Sequence, residues 1–211
     1  ATGVPWMAME LLDGEDLSRL IDRRGAMGAD ETVQCWGLGD ATAGGAAPGG
    51  PTLVAGLVDA RQVAVGAGLA CALRETGAVT CWAGSGPAAE PFPGLPAARD
   101  VCALRDAVCA LRDDGRVSCF GRNERGQRGL MVAADDRGVS EVDGLTGAIA
   151  LSAGSEHACA LDGAAALWCW GANGYGQLML GNVADTFRAA RSDFARDVTA
   201  ASAGGDTTFA R

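Results

Sequence analysis

The feature that most constrains this chain is a thirteen-residue pattern that predicts a β-hairpin. At 109–121 it reads CALRDDGRVSCFG: an apolar run, the turn residues Asp113-Asp114-Gly115, and a second run in which apolar and polar residues alternate. A loop of this length and composition is typical of a three-residue hairpin loop in which Gly115 takes the left-handed conformation. The pattern therefore predicts that Cys109 lies opposite Cys119 across two antiparallel strands.

The same hairpin pattern recurs along the chain. It reads CALRETGAVTCWA at 71–83 and CALDGAAALWCWG at 159–171, its closing half QCWG stands at 34–37, and an opening half would begin at Phe209. The closing cysteines are separated by 46, 38 and 50 residues, and glycine-rich segments, a Gly-Leu turn and an apolar strand lie between the copies. Several short strands in units of this length are the signature of propeller blades. We expect an all-β, partial β-propeller of four to five blades, with units at 33–78, 79–116, 117–166 and 167–211.

Composition supports a turn-rich globular chain that binds neither nucleic acid nor a membrane interior. Glycine accounts for 32 of 211 residues, roughly twice the average usage of about 7%. The net charge of −9 disfavours non-specific binding to nucleic acid or an anionic membrane surface. No apolar run approaches the length of a membrane span, and residues 1–10 show no signal-peptide pattern.

The eight cysteines leave two interpretations open. No Cys-x-x-Cys pair occurs and there is one histidine, so no zinc site is expected. Six cysteines form pairs with a common offset of ten residues, which places each pair opposite across a hairpin: Cys71 and Cys81, Cys109 and Cys119, Cys159 and Cys169. We predict disulfides within blades if the compartment is oxidising. The alternative is buried free thiols. Cys35 and Cys102 have no partner by this rule.

Several recurring motifs resemble a known repeat family. They are Cys-Trp-Gly, Gly-x-Asn-x-x-Gly-Gln at 121–127 and 171–177, the Gly-Leu turn, and the segment from Gly154 to Leu161. These motifs over 33–211 are similar to regulator of chromosome condensation repeats, and most similar to the bacterial form that contains cysteines. The resemblance implies the fold of that family, which is a β-propeller of seven blades. This chain departs from it with about four units, a short second unit without the Asn-x-x-Gly-Gln segment, and a last unit that stops after its third strand or at the start of the fourth.

The resemblance implies a non-enzymatic protein-binding or scaffold module. Members of the family act as nucleotide-exchange factors for a small GTPase, as chromatin binders or as inhibitors of secreted enzymes, and the acidic charge of this chain speaks against chromatin. We expect an unidentified protein partner and no cofactor. The open faces of an incomplete propeller also predict self-association.

The recurring polar and aromatic residues have a structural interpretation and a binding one. Asn123 and Asn173 suit left-handed or Asx-turn positions, and Gln127 and Gln177 are expected to bond backbone in a neighbouring loop. The aromatic residues after the closing cysteines point away from those cysteines and predict packing between blades, or else an exposed binding stripe: Trp36, Trp82, Phe120 and Trp170. His157 has no recurring catalytic partners and is expected to be structural. No catalytic or metal-binding constellation is found.

Residues 1–32 differ from the repeats and predict a short strand followed by an amphipathic helix. The segment MAMELLDGEDLSRLIDRRGAM resembles the hinge of a bacterial eukaryotic-like Ser/Thr protein kinase. In that resemblance Met9 matches the gatekeeper and the stretch from Glu10 to Leu12 matches the backbone that holds adenine. The glycine-rich loop, the lysine and the catalytic motifs are absent, so phosphoryl transfer is not expected. The alternative function is a fragment of a kinase fused to a propeller sensor domain.

The sequence gives conflicting indications of the compartment. The paired cysteines favour an extracellular or cell-envelope location, whereas the kinase-like segment and the lack of a visible signal peptide favour the cytoplasm.

Overall fold

The computed structural model confirms the all-β class and the partial propeller. It describes residues 34–35, 52–54, 56–57, 59–66, 69–83, 90–91, 94–131 and 138–211. Within these ranges the chain forms sixteen strands in five antiparallel sheets and no helix. The strand and helix predicted for 1–32, the kinase-like residues Met9, Glu10 and Leu12, and Trp36 lie outside the described residues.

The strands follow one another in order within each sheet, which we label A to E. Sheet A contains β1 (Gln34–Cys35) and β2 (Thr52–Leu53). Sheet B contains β3 (Ala60–Val65), β4 (Leu69–Arg74), β5 (Val79–Ala83) and β6 (Glu90–Pro91). Sheet C contains β7 (Asp100–Ala103), β8 (Ala107–Leu111), β9 (Val117–Gly121) and β10 (Ser140–Glu141). Sheet D contains β11 (Ala148–Ala153), β12 (His157–Asp162), β13 (Leu167–Gly171) and β14 (Thr186–Arg191). Sheet E contains β15 (Ala201–Gly204) and β16 (Thr207–Ala210).

The sequence units are offset from the sheets. Unit 79–116 holds the last two strands of sheet B and the first two of sheet C, and unit 117–166 joins sheets C and D in the same way. Each unit thus begins at the third strand of one sheet and ends after the second strand of the next. The unit boundaries themselves remain a prediction.

The hairpin of β8 and β9 has the register that its sequence predicts. Cys109 lies opposite Cys119 and Leu111 opposite Val117. The backbone N–H of Arg112 donates to the carbonyl of Arg116 at 2.9 Å, and Gly115 has a φ of 78°. Gly115 also has no room for a side chain, because a Cβ there would lie 2.9 Å from the Cα of Gly147. The hairpin turn therefore packs directly against the segment that leads into the next sheet.

Successive sheets pack through their first strands and through apolar faces. Strand β3 contacts β7, β7 contacts β11, and β11 contacts β15, which is the arrangement of propeller blades around a channel. The core between sheets C and D contains Cys109 and Cys119 from one sheet and Trp170 from the other. Cysteines therefore face the next sheet along the chain and aromatics face the preceding one, because neighbouring strand residues point to opposite faces.

Among the described residues, three other than glycine have positive φ: two lie in connections of sheet D, and the third lies between sheets D and E. Ala165 (φ 60°), Met179 (φ 55°) and Asp197 (φ 53°) each follow by 50 residues a glycine with positive φ. Those glycines are Gly115 and Gly129 in connections of sheet C, and Gly147 between sheets C and D. The repeat geometry is thus kept even where the residue type opposes it.

Candidate functional site

The candidate site is the edge of sheets C and D at which each third strand ends. We call it the loop edge and define it by the connections at 104–106, 122–131, 154–156 and 172–185. The two long connections carry the Gly-x-Asn-x-x-Gly-Gln motif. Their geometry decides whether the motif builds the loop or is available to a ligand.

In both long loops the motif asparagine is buried and bonds its own loop. The Asn123 Oδ1 accepts from the N–H of Arg128 at 3.0 Å and its Nδ2 donates to the carbonyl of Leu130. Asn173 repeats this with Leu178 and bonds the carbonyls of Asn182 and Ala184. Neither asparagine has positive φ, so the left-handed interpretation was wrong, and each accepts a hydrogen bond from the N–H five positions on.

The motif glutamine holds the same loop. The Oε1 of Gln127 accepts from the N–H of Arg125 at 2.8 Å, and that of Gln177 accepts from Tyr175 at 2.9 Å. These bonds stay within one loop, whereas the sequence had suggested a neighbouring loop. Because Gln127 and Gln177 are buried along with both asparagines, the described motif side chains stabilise the loops.

The aromatic positions lie between sheets. Trp170 is fully buried and its Nε1 donates to the carbonyl of Gln127 at 3.0 Å, which ties sheet D to the loop of sheet C. Trp82 is buried with Leu57 and Val63 in a cluster separate from the core between sheets B and C, on which Phe120 packs. Gly154 approaches Gly205 and His157 so closely that a Cβ would overlap both. No described aromatic of this set forms an exposed stripe.

A charged network that the sequence motifs did not indicate crosses from one loop to the next. The guanidinium of Arg125 donates to both carboxylate oxygens of Asp185, at 2.9 and 3.1 Å, and reaches Glu156 at 3.4 Å. The N–H of Asn173 also donates to Asp185, at 2.8 Å. The hydrogen bond from Arg125 is the main cause that lowers the pKa of Asp185, and the same bond raises the pKa of Arg125. We call this pair of hydrogen bonds between Arg125 and Asp185 the Arg125–Asp185 fork. It holds the two loops in one relative position.

Two large apolar side chains on the loop of sheet D remain exposed. Val183 is 66% exposed and Tyr175 is 81% exposed. Tyr175 occupies the position that Arg125 occupies one repeat earlier. The loop edge therefore presents apolar side chains on loops that are fixed by buried amides and by the Arg125–Asp185 fork. Such a combination is typical of a protein-binding surface.

The structure joins the three predicted cysteine pairs as disulfides. In each pair the Cα atoms are 4.1 Å apart: Cys71–Cys81, Cys109–Cys119 and Cys159–Cys169. Cys102 is a buried free thiol opposite Cys109, and burial raises its pKa well above the ordinary value. A thiol with a raised pKa is a poor nucleophile. The side chain of Cys35 lies outside the described residues.

The other titratable groups form no catalytic constellation among the described residues. His157 is buried, and its Nε2 lies 2.8 Å from the Oγ1 of Thr208 in sheet E. In that part of the chain no group of three or more His, Cys, Asp and Glu side chains is placed to hold a metal. A half-open cleft of about 270 Å³ lies at the opposite edge of sheet D, where Arg191, Asp193 and Arg196 line it. No described helix has the length and apolar character that crossing a membrane requires.

Comparison with known proteins shows what two of the repeats resemble. The family model described as Regulator of chromosome condensation (RCC1) repeat matches residues 102–127 and 148–177. Each matched segment runs from the first strand of a four-stranded sheet to the motif glutamine. These two segments are therefore similar to RCC1 repeats. The bacterial form of the repeat and the kinase-like segment stay predictions.

Solved structures with the same fold extend the comparison beyond the matched repeats. Human WBSCR16 has a TM-score of 0.73 and 20% identity, over 86% of this chain and 53% of that chain. Prp20p from Saccharomyces cerevisiae, in a study of its binding to Gsp1p and histones, has a TM-score of 0.67 and 17% identity over 82% and 50%. Yeast RCC1 (Prp20) in a structure with Kap60 has a TM-score of 0.70 and 16% identity over 85% and 50%.

These similarities show the fold, and the chain spans about half the length of the solved structures that it matches. No curated protein matches the sequence.

Proposed function

We propose that this chain is a non-catalytic protein-binding module whose loop edge contacts an unidentified protein partner. The observation that carries the proposal is the exposure of Val183 and Tyr175 on a loop whose backbone is fixed by buried Asn173 and Gln177. Rigid loops reduce the ordering cost of binding. Exposed aromatic and aliphatic side chains supply apolar contact area at such a surface.

The comparisons support a protein partner. The structures of Prp20 concern its binding to Gsp1p and histones and its complex with Kap60. The net charge of −9 makes a nucleic acid an unfavourable partner for this chain.

A pair of matched variants tests the loop edge. Val183→Ser removes an exposed apolar side chain of the loop edge, and Ile149→Ser removes one that is 50% exposed at the opposite edge, beside the turn of β12 and β13. A photoreactive residue at 183 and another at 149 would identify proteins that contact each edge in cells. The affinity for a protein that cross-links to the photoreactive residue at position 183 is then measured by calorimetry with purified components. We expect Val183→Ser to weaken binding at least tenfold and Ile149→Ser to leave it within twofold. Equal capture from both positions, or equal loss in both variants, would contradict the proposal.

The kinase-fragment alternative predicts nucleotide binding. Because the catalytic motifs are absent from the sequence, we expect no saturable heat of binding when Mg-ATP is titrated into the chain. Specific ATP affinity, lost on substitution of Glu10 and Leu12, would favour the kinase-derived interpretation.

A further inference from the structure

We infer that sheet C contains a disulfide switch, in which the thiol of Cys102 exchanges with the bridge between Cys109 and Cys119. In the structure the bridge joins Cys109 to Cys119, and Cys102 is a free thiol. In the exchanged form a bridge joins Cys102 to Cys109, and the free thiol lies at Cys119. The inference is independent of the loop-edge function, and it concerns one four-stranded sheet in the middle of the described chain.

The three cysteines form a row across sheet C. Cys102 lies opposite Cys109, and Cys109 lies opposite Cys119, on three adjacent strands. All three belong to the core between sheets C and D, whereas Val101 and Val108 belong to the core between sheets B and C. Neighbouring residues of a strand point to opposite faces. The three sulfur atoms therefore lie on the same face of the sheet.

The spacing of the strands fits either bridge. The pair Cys102 and Cys109 lies two residues along from the pair Leu104 and Ala107, whose backbone groups bond at 2.8 Å, so it is also a hydrogen-bonded pair. Hydrogen-bonded pairs have Cα atoms about 5.5 Å apart, and most disulfides join Cα atoms about 4.4–6.8 Å apart. A bridge from Cys102 to Cys109 therefore requires rotation of side chains and no movement of the strands.

The exchange is an isomerisation that consumes no oxidant and no reductant. Cys102 gives its proton to a solvent base, and its thiolate attacks the Sγ of Cys109. The new bond between these two sulfur atoms forms as the bond from Cys109 to Cys119 breaks. Cys119 leaves as a thiolate and takes up a proton from water. Because Cys109 is the middle member of the row, the attacking and leaving sulfur atoms lie on opposite sides of it, as in-line substitution requires.

Two charged groups beside the row favour movement of the negative charge from Cys102 to Cys119. Burial and the carboxylate of Asp100 raise the pKa of the Cys102 thiol. At the other end, Cys119 lies opposite Ser140, whose Oγ accepts from the Nε of the buried Arg128 at 3.2 Å. A hydroxyl and a guanidinium on this side stabilise a thiolate at Cys119. A more stable thiolate is a better leaving group.

The bridge seen in the structure is the resting form, because the raised pKa of Cys102 leaves few of its thiols ionised at neutral pH. Two factors allow the exchange nonetheless. The thiolate of a thiol with a high pKa is intrinsically a stronger nucleophile, and a group held beside its target acts at a high effective concentration. We therefore expect slow exchange, which becomes faster once the Cys102 thiol ionises.

Exchange moves the covalent link from one side of β8 to the other. The resting bridge joins β8 to β9, whereas the exchanged bridge joins β8 to β7. Strand β9 leads directly into the loop at 122–131, which is part of the loop edge. In the exchanged form this strand has no covalent link to its neighbour. The position of one bridge therefore controls how firmly the loop is attached to the sheet.

Thiol mapping tests the exchange in the full 211-residue chain. Six of the eight cysteines are bridged, so Cys35→Ser leaves Cys102 as the single free thiol. The folded protein is held at mildly alkaline pH without added thiol, quenched with acid, and alkylated in denaturant before peptide mapping. We expect label to move from Cys102 to Cys119 at a rate independent of protein concentration, with one thiol per chain throughout.

The neighbouring sheets supply internal controls for this experiment. Their bridged cysteines lack a third cysteine in the row, since Cys71 lies opposite Ala64 and Cys159 lies opposite Ser152. We expect label at these bridges to stay at least tenfold below label at Cys119. Absence of label at Cys119, equal label in all three sheets, or a rise above one thiol per chain would overturn the inference.

Serine variants test the second bridge without relying on the exchange. In the same background, Cys119→Ser leaves Cys109 opposite Cys102, whereas Cys169→Ser leaves Cys159 with no cysteine opposite. Oxidised glutathione accepts the two electrons that a new bridge releases. We expect a bridge from Cys102 to Cys109 in the first variant and no bridge at Cys159 in the second. Failure of Cys109 to bridge to Cys102 would overturn the inference.

Hydrogen exchange tests the release of β9. In protein converted to the exchanged form, we expect the amides of Ser118 and Phe120 to exchange at least tenfold faster than in the resting form. The amide of Val108 in β8 is the control and is expected to stay within twofold. Unchanged protection of β9 would show that movement of the bridge releases nothing, and would overturn the switch.

Discussion

At the scale of single residues, the fold imposes backbone conformations that the residue types do not favour. Ala165 has a φ of 60° at a turn position that Gly77 and Gly115 hold in the other two hairpins. The N–H of Val198 donates to its carbonyl at 3.0 Å, as the N–H of Ala148 donates to Gly115. An L-residue in this region costs about 1–2 kcal/mol. The hydrogen bond and the repeat packing keep Ala165 there.

Replacement of Ala165 by glycine is expected to stabilise the protein. Glycine removes the steric cost of positive φ but adds backbone freedom to the unfolded chain, so the net gain is about 0.5–1 kcal/mol. The measurement is the free energy of unfolding from urea titration. Ala164→Gly is the matched control and is expected to destabilise, because its φ is not in the positive region. A loss of stability in Ala165→Gly would contradict this account of the turn.

Burial of His157 predicts a loss of stability in mild acid. Desolvation lowers the pKa of His157 below its ordinary value, and Asp206 opposes this only in part. Its Nδ1 is buried without a hydrogen-bond partner. The unfolded state therefore binds a proton at a pH where the folded state does not, and stability falls as the pH drops through the unfolded pKa of about 6.5.

We expect the free energy of unfolding to fall between pH 7 and pH 5 in the wild type and to fall less in His157→Gln. As the chain has one histidine, the difference between the two slopes isolates this group. The pKa values of Asp185 and Asp162 are both lowered. These carboxylates therefore lose their contribution to stability at a pH more acidic than the range from 7 to 5. Identical slopes for the two proteins would contradict the assignment.

At the scale of elements, the central hairpins have the register that their sequences predict. Short apolar–polar alternation and turn residues act within about ten positions, so they are sufficient to predict Cys109 opposite Cys119. The contact between Arg125 and Asp185 joins residues 60 positions apart, and no local pattern predicted it. The Gly-Leu turn was predictable only in part. Its recurrence is visible in the sequence, whereas the burial of Leu57 and Leu145 depends on the neighbouring sheets.

The three disulfides predict a thiol count and a stability effect. In protein that is unfolded without reduction, we expect a thiol reagent to label Cys35 and Cys102 and none of the paired cysteines. Removal of one bridge by Cys109→Ser with Cys119→Ser is expected to cost about 2–3 kcal/mol, at the low end because the closed loop is short. Cys102→Ser serves as a control with all three bridges intact. Labelling of eight thiols would show that the pairs are reduced.

At the scale of the whole molecule, stability is expected to decline from the central sheets to sheet E, which has two described strands. Strand β8 is buried along its whole length and lies between two hydrogen-bonded neighbours. Strand β16 has three exposed residues out of four and pairs with β15 alone among the described strands. Local opening requires less free energy where few apolar contacts are lost.

Hydrogen exchange at low protein concentration tests this gradient. We expect the amides of Val108 and Ala110 to exchange at least a hundredfold more slowly than those of Thr208 and Ala210. Equal protection of β8 and β16 at the lowest concentration would contradict the gradient.

The sequence by itself determined the all-β class, the repeated hairpin, its register and its cysteine pairs, because these depend on contacts between residues close together in the chain. The tertiary structure alone decided that the motif asparagines and glutamines are buried within their own loops. It also decided that Arg125 pairs with Asp185 and that Ala165 has a positive φ. Those features depend on how one sheet is set against the next. That arrangement results from packing between distant residues, for which the repeat period carries no local signal.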